Sequence, residues 1–270
     1  MTGGKYAVFL DIDGTLSRHG MPPCQEDIEA LRRARQAGHF VLINTGRSRG
    51  ILPSPLRDVD YLDGYLFGCG TQLVLGGRVV FTGELDRAFL RHVIRYHQDH
   101  PDRFSMFEGE SNGYTLNPKG TYEWPRITGE NDFDTLYAFE HVTKVTVMDR
   151  GQADAEEHAL FDGILEIVEQ PESSWHEAIL PGNGKGKGML RACEHLGIPV
   201  ENSIAIGDSE NDLDMFACAG TAVAMENSSR AALDAARYVT GRCGEGGVAK
   251  AVNALLFGKG KLKPLRPAQG

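Results

Sequence analysis

Acidic residues stand directly after two short apolar segments that lie far apart in the chain. Asp11 and Asp13 follow Tyr6–Leu10, and Asp208 follows Ser203–Ile206. Such runs are typical of buried parallel strands, and open α/β sheets bind ligands at the carboxyl ends of their strands. Carboxylates that meet there repel one another, and a hard divalent cation with oxygen ligands removes that cost. We therefore predict a Mg²⁺ ion bound by Asp11, by Asp208 and by the backbone carbonyl of Asp13.

Other residues expected at the same edge are suited to binding a phosphate group. A third apolar segment, His39–Ile43, leads to Thr45 and Gly46, which offer a hydroxyl group and an unobstructed backbone N–H. Lys185 lies in a glycine-rich loop just before a predicted helix N-terminus, a position that favours anions. These three residues are therefore predicted to bind phosphate.

Taken singly, most of these signals have ordinary structural explanations. Acidic residues and glycine are common in turns, which would explain Asp11–Gly14 without any chemistry. A lysine in a glycine-rich loop is more often solvated than bound to a ligand. Helix capping can explain one of Asp208, Asn211 and Asp212, but not all three together. The segments around Asp11, Thr45, Lys185 and Asp208 nevertheless each lie at the expected end of a strand or helix. Their order and placement favour a functional site.

The elements that would position these residues alternate between strands and helices. This alternation predicts an α/β fold with a Rossmann-like parallel sheet covered on both faces. The pattern breaks after Phe81 and returns near Pro181. We expect a discontinuous core of residues 1–81 and 182–257, an inserted α+β domain of residues 82–181, and a flexible basic tail of residues 258–270.

The inserted segment carries mixed signals of its own. The predicted helices are Phe89–Gln98 and Ala153–Phe161, and Val142–Met148 is predicted to be a strand because it is rich in β-branched residues. Asn112–Asp132 is rich in Gly, Pro, Asn and Thr, which is typical of a loop.

Composition narrows the classes of protein to consider. The 270 residues carry 41% hydrophobic and 24% charged side chains, which is ordinary for a globular protein. A net charge of -9 makes nucleic acid or an anionic membrane an unfavourable partner. The five cysteines form no C-x-x-C pair, and no apolar run approaches the length of a membrane span. We expect a cytoplasmic protein with free thiols.

Four motifs in order resemble those of the haloacid dehalogenase superfamily. Asp11–Thr15 resembles the first motif, D-x-D-G-T, and Thr45–Arg47 the second. Lys185 is similar to the third motif and Gly207–Asp212 to the fourth. The position and length of the insertion resemble the type-two caps of this superfamily. Together with Ala222–Asn227 and Gly246–Ala249, the fourth motif also resembles the Cof-type, sugar-phosphatase-like branch.

The resemblance implies a magnesium-dependent phosphatase that acts in two steps on a small phosphate ester. Asp11 would attack phosphorus and form an aspartyl phosphate, while Asp13 would protonate the leaving alcohol and later activate water. Mg²⁺ and Lys185 would balance the charge on the phosphoryl oxygens. Thr45 and Asn211 would position the phosphate.

Several residues keep more than one interpretation. The resemblance gives Asp212 a supporting role, in which it orients the metal ligands. Asn44 and Cys69 depart from the residues common in the family, and Cys69 could alter the fit of a substrate. Arg47 could reach the substrate or remain at the surface, and Trp124 could stack on a substrate or belong to the core.

Three other functions use similar residues. A phosphomutase on sugar phosphates would share the nucleophile but return the phosphate to its substrate. A signalling receiver that accepts phosphate is shorter and has no large insertion, and a non-catalytic binding module would be expected to have lost Asp11 or Asp13. The candidate substrates are sugar phosphates, polyol phosphates, glycerate-type phosphates and cofactor phosphates. The oligomeric state is not readable from the sequence.

Overall fold

The computed structural model describes residues 4–18, 20–118, 120, 123–137, 140–148, 159–168 and 175–265. The amino-terminal part forms five strands and one helix: β1 (Ala7–Leu10), α1 (Gln25–Gln36), β2 (Phe40–Asn44), β3 (Gly64–Phe67), β4 (Gln72–Leu75) and β5 (Arg78–Thr82). The middle part forms α2 (Arg87–Asp99), β6 (Ser105–Gly109), β7 (Gly113–Leu116), β8 (Arg126–Ile127), α3 (Glu130–Tyr137), β9 (Val142–Met148), β10 (Glu166–Val168) and β11 (Trp175–Ile179).

The carboxyl-terminal part alternates again between helices and strands. It contains α4 (Lys185–Leu196), β12 (Ser203–Gly207), α5 (Leu213–Cys218), β13 (Thr221–Ala224), α6 (Arg230–Ala235), β14 (Tyr238–Val239), α7 (Gly247–Phe257) and β15 (Lys263–Pro264). Short 3-10 helices lie at Arg49–Ile51, Ser54–Leu56, Val200–Asn202 and Glu210–Asp212.

A nine-stranded sheet joins the two ends of the chain, in the order β15-β14-β13-β12-β1-β2-β3-β4-β5. Its central strand, β1, pairs in parallel with β12 on one side and β2 on the other, so that Leu10 lies beside both Ile206 and Ile43. The three strands therefore end at the same edge. The residues that follow them are brought together there by backbone pairing alone.

Both faces of this sheet are buried at its centre, which explains why β1 is apolar at every position. Val8 and Leu10 pack in one core cluster with residues of α1 and α7, whereas Ala7 and Phe9 pack in a second cluster with residues of α4 and α5. Successive side chains of a strand point to opposite faces, so one short apolar run contributes to both clusters.

A separate six-stranded sheet has the order β10-β11-β9-β6-β7-β8 and contains only strands from the middle part. Phe107 and Val145 point to one face, where they pack with Phe133 of α3 and with residues of α2. The predicted α/β fold with an inserted α+β domain is thus confirmed. We propose domain boundaries near residues 82 and 181, because the two sheets share no strand.

Three local predictions have different outcomes. The predicted loop Asn112–Asp132 is wrong, because it contains β7, β8 and the first turn of α3. The predicted helix Ala153–Phe161 lies mostly outside the described residues. The flexible tail is also wrong for residues 258–265, because β15 pairs antiparallel with β14 and the Leu265 N–H donates to the Arg237 carbonyl at 2.9 Å.

None of the helices in the described ranges has the length and apolar character needed to cross a lipid bilayer.

Candidate active site

Three acidic or hydroxyl side chains converge at the carboxyl edge of the central strands. Asp11 follows β1, and its N–H donates to the Ile206 carbonyl of β12 at 3.0 Å. Thr45 follows β2, and Asp208 follows β12. The convergence predicted from the sequence is present in the structure.

Lys185 is the first residue of α4, and its side chain is completely buried beneath this edge. Its Nζ donates to Asp11 Oδ1 at 2.7 Å, to Asp212 Oδ1 at 2.6 Å and to Asn211 Oδ1 at 2.9 Å. An ammonium group has three N–H donors, so every donor has an acceptor. Burial by itself lowers the pKa of Lys185, but the carboxylates of Asp11 and Asp212 raise it well above its ordinary range.

Carboxylate oxygens of Asp11, Asp208 and Asp212 lie within 4.8 Å of one another. Both oxygens of Asp212 are already engaged, Oδ1 by Lys185 and Oδ2 by the N–H groups of Asp208 and Ser209 at 2.9 and 3.2 Å. Asp212 thus links Lys185 to the backbone that follows β12. Asp11 and Asp208 are left as the side chains best placed to bind a cation.

The same cluster is electrostatically costly without a cation. Burial is the largest influence on Asp208 and raises the pKa of its carboxyl group from 3.8 to about 6. Burial also raises the pKa of Asp11, while the adjacent charge of Lys185 opposes the increase. A divalent cation would favour the ionised form of both groups.

The backbone around Gly14 leaves room for Asp208 and for no side chain. Gly14 has φ +85°, and a Cβ placed on it would lie 2.2 Å from Asp208 Oδ2. Thr15 Oγ1 donates to Asp208 Oδ1 at 2.8 Å, which fixes the orientation of that carboxylate. The D-x-D-G-T segment thus wraps around Asp208. An all-oxygen donor set in this cradle fits Mg²⁺.

Asp13 lies at the mouth of the site and is paired with Arg47. Arg47 Nε and one terminal nitrogen donate to the two Asp13 carboxylate oxygens at 2.6 and 3.0 Å. Both side chains are part-exposed, at 34% for Arg47 and 40% for Asp13. Arg47 therefore lies at the mouth of the site, where it lines the cavity and pairs with Asp13.

A cavity of about 530 Å³ opens above these residues and is bounded on one side by the core. Asp11, Asp13, Thr45, Gly46, Arg47, Ser209 and Asn211 contribute to that side. The Thr45 hydroxyl accepts a hydrogen bond from the Arg47 N–H at 3.1 Å, so its own proton remains available to a ligand. A Cβ on Gly46 would lie 2.8 Å from Glu177 Oε1, so a side chain here would collide with the inserted domain.

The inserted domain supplies the opposite side of the cavity, with residues that were not predicted from the sequence. Met106, Glu108, Lys144, Thr146 and Glu177 lie on β6, β9 and β11, on the face opposite the packed core of that domain. The available signal was alternation along Val142–Met148, where Lys144 interrupts an otherwise apolar and hydroxyl-bearing strand. Trp124 also lines the cavity, in agreement with its substrate-facing interpretation.

Two departures from the resemblance now have structural explanations. Buried Asn44 donates from Nδ2 to the Lys185 carbonyl at 2.9 Å, and this bond attaches the start of α4 to β2. Cys69 has φ +53° and is buried, and its thiol donates to Glu177 Oε2 at 3.0 Å. Cys69 thus contacts Glu177, a residue of the inserted domain that lines the cavity.

The chain is similar over most of its length to known proteins. The chloroplastic endoribonuclease YBEY of Arabidopsis thaliana is 28% identical over 274 residues, which cover 93% of this chain and 46% of that protein. The chain thus spans about half the length of that relative. The 5-amino-6-(5-phospho-D-ribitylamino)uracil phosphatase YwtE of Bacillus subtilis strain 168 is 26% identical over 296 residues, covering 93% of this chain and 98% of that protein.

A solved structure described as the HAD subclass IIB sugar phosphatase BT4131 superposes with a TM-score of 0.76 at 25% sequence identity, covering 94% of this chain and 99% of that one. The family model of the haloacid dehalogenase-like hydrolases matches residues 8–252. That range contains all four motifs and the whole inserted domain. On this match, together with the acidic edge of the sheet, the chain belongs to the haloacid dehalogenase-like hydrolases.

Proposed function

We propose that the protein is a magnesium-dependent phosphomonoester hydrolase that acts on a small organic phosphate through an aspartyl-phosphate intermediate on Asp11. One observation carries the proposal. Asp11 ends the central strand, is held at Oδ1 by buried Lys185, and opens into a cavity shared with Asp13 and Thr45. The names of the relative YwtE and the structure BT4131, both phosphatases, support it.

Asp11 acts as the nucleophile in this proposal. Lys185 fixes one carboxylate oxygen, and within the described part of the chain Oδ2 of Asp11 has no protein donor. The carboxylate is therefore held in one orientation before the reaction. Less conformational entropy is then lost when it attacks phosphorus. Asp11 and Asp208 would hold Mg²⁺, which when bound neutralises their charge and that of the phosphoryl oxygens.

Asp13 acts as the general acid and base. In the structure each of its two carboxylate oxygens accepts a hydrogen bond from Arg47. The phosphate of an arriving substrate would compete for Arg47, because guanidinium groups bind phosphate in the same bidentate manner. That exchange would release Asp13 to carry the proton that the leaving alcohol needs.

Thr45, Gly46 and Asn211 would bind the phosphate. Asn211 Oδ1 accepts from Lys185 Nζ and from Ser209 Oγ, each at 2.9 Å. With the carbonyl oxygen engaged, the Nδ2 amide is the part of Asn211 left to donate to a ligand. The Thr45 hydroxyl and the Gly46 backbone N–H would add two more donors.

We also infer a cytoplasmic location, because all five cysteines are free thiols. Three of them are buried, and a reducing compartment keeps such groups in this form.

The test is phosphate release from a panel of small phosphate esters by the wild type, Asp11→Asn and Asp13→Asn. We expect release that requires Mg²⁺ and is abolished by a chelator. Asp11→Asn removes the nucleophile without changing its size and should lower kcat by about 10⁴-fold or more. Asp13→Asn should lower kcat by about 100-fold or more, since positioned acids and bases contribute that much.

Two results would contradict the proposal. A folded Asp11→Asn variant with substantial activity would exclude Asp11 as the nucleophile. Isomerised substrate in place of inorganic phosphate would identify a phosphomutase.

A further inference from the structure

The cavity wall that the inserted domain provides has an unusual charge arrangement. We call Met106, Glu108, Lys144, Thr146 and Glu177 the cap wall. Lys144 is its positive side chain and is 2% exposed. Its Nζ lies 2.9 Å from Glu108 Oε1 and 2.7 Å from Glu177 Oε1, and it donates to the Gly46 carbonyl at 2.7 Å.

These three contacts use every N–H donor of the Lys144 ammonium group. Burial by itself lowers the pKa of Lys144, but Glu108 and Glu177 raise it above its ordinary range. Burial is the largest single influence on Glu177 and raises its pKa, but Lys144, the Cys69 thiol and Lys185 together lower it below its ordinary value. Lys144 is therefore charged yet has no donor left for an anionic ligand.

The two carboxylates of the cap wall keep unused acceptor capacity. Glu108 Oε2 accepts from the Ser48 N–H at 3.2 Å, and Glu177 Oε2 accepts from the Cys69 thiol at 3.0 Å. Each carboxylate oxygen has about two lone-pair sites, so both of these oxygens can accept another hydrogen bond. The cap wall thus offers acceptors and a net negative charge to whatever fills the cavity.

The cavity also has an apolar part. Ile51, Met106 and Trp124 line the cavity there. Its volume of about 530 Å³ falls within the range typical of small-molecule pockets. Arg47, the other cation among the described lining residues, is paired with Asp13 on the core side.

From this arrangement we propose that the cap wall selects phosphate esters whose alcohol part carries hydroxyl or ammonium donors, and discriminates against esters that carry a carboxylate. The inference rests on the proposed phosphatase function and narrows its substrate class. A hydroxyl-bearing chain or ring would donate to Glu108 and Glu177 and pack against Met106 and Trp124. A carboxylate would meet those two acids while Lys144 has no donor left for it, and such repulsion is an effective source of specificity.

The experiment compares two substrates that differ at one position. Sorbitol 6-phosphate and 6-phosphogluconate are six-carbon chains that end in a hydroxymethyl group and a carboxylate, respectively. We expect the wild type to show a kcat/KM at least about tenfold higher for the polyol phosphate. Equal values, or a preference for 6-phosphogluconate, would overturn the inference.

Variants then test whether the cap wall is the cause. Glu177→Gln removes one negative charge and leaves the cap wall without a net charge, so the preference should fall at least about fivefold. Glu108→Gln should act in the same direction and serves if the first variant does not fold. The matched control is Glu166→Gln on neighbouring β10, which is exposed and remote from the cavity.

The ratio of the two kcat/KM values cancels any general loss of active protein, since both substrates are measured on the same sample. An unchanged ratio in folded Glu177→Gln and Glu108→Gln would overturn the role of the cap wall. Failure of the wild type to release phosphate from either compound, and also from an aryl phosphate, would instead overturn the proposed function.

Discussion

Lys185 shows how a single side chain can organise the site. The sequence placed it in a glycine-rich loop, where most lysines are solvated, but the structure buries it against Asp11, Asn211 and Asp212. Burying an ammonium group is unfavourable unless its donors are satisfied and its charge is paired. Lys185 meets both conditions, and it does so by fixing the residue proposed as the nucleophile.

The first prediction compares Lys185→Met with Lys187→Met. Removing the Lys185 charge leaves two carboxylates buried without their partner, and we expect a loss of about 3–5 kcal/mol in the free energy of unfolding. Lys187 is exposed, and its replacement should change that quantity by less than about 0.5 kcal/mol. Urea unfolding in the presence of a chelator measures both. Similar losses in the two variants would show that Lys185 is not a buried charged partner of these acids.

At the scale of elements, the two sides of a strand can serve different purposes. The strand β9 was predicted with its observed bounds, yet its sequence did not reveal which face it would bury. Val145 packs in the core of the inserted domain, whereas Lys144 and Thr146 face the cavity. That assignment depends on the pairing of β9 with β6 and β11, which supply Glu108 and Glu177.

The second prediction concerns β15, which the sequence analysis assigned to a flexible tail. A chain that ends at Leu262 loses the pairing with β14 and the packing of Leu265 against the core. We expect this truncation to lower the free energy of unfolding by about 1–2 kcal/mol, as for a half-buried leucine. Activity per folded molecule should be retained, because β15 is at the edge of the sheet and the site is at its centre.

The control for that truncation is a chain that ends at Leu265, which should match the full-length protein in thermal denaturation. If the chain ending at Leu262 were equally stable, the pairing of β15 would contribute nothing measurable in solution.

At the scale of the whole molecule, the parallel sheet assembles mutually repelling acids and makes stability depend on pH. The Asp208 pKa of about 6 lies above its ordinary value of 3.8. Between these values the unfolded chain has lost the proton that the folded protein still holds. Without Mg²⁺, Asp208 therefore lowers the stability of the folded state as the pH rises from about 4 to about 6, and the raised pKa of Asp11 acts in the same direction.

The third prediction follows from this loss of stability with rising pH. In the presence of a chelator, Asp208→Asn should stabilise the protein relative to the wild type at pH 7 and lose this advantage towards pH 4. Mg²⁺ binds the ionised carboxylates, so it should stabilise the wild type increasingly above pH 6 and the variant much less. Thermal midpoints from pH 4 to 8 measure both effects. Parallel curves for wild type and variant would contradict the shifted pKa.

The sequence by itself determined the α/β core and the group of residues at the carboxyl edge of its strands. Short apolar runs that alternate along the chain with amphipathic helical segments indicate buried parallel strands, and parallel pairing brings Asp11, Thr45 and Asp208 to one edge. Local signals were sufficient because each of these residues directly follows its strand.

Only the tertiary structure decided what surrounds that edge. The pairing of Asp13 with Arg47, the burial of Lys185 and the charge balance of Lys144 join residues separated by 33 to 174 positions. No periodicity or motif encodes such contacts, because they depend on how the inserted sheet lies over the core. The cap wall could therefore be recognised only in the folded molecule. The proposed catalytic residues on the core side follow from short segments of the chain.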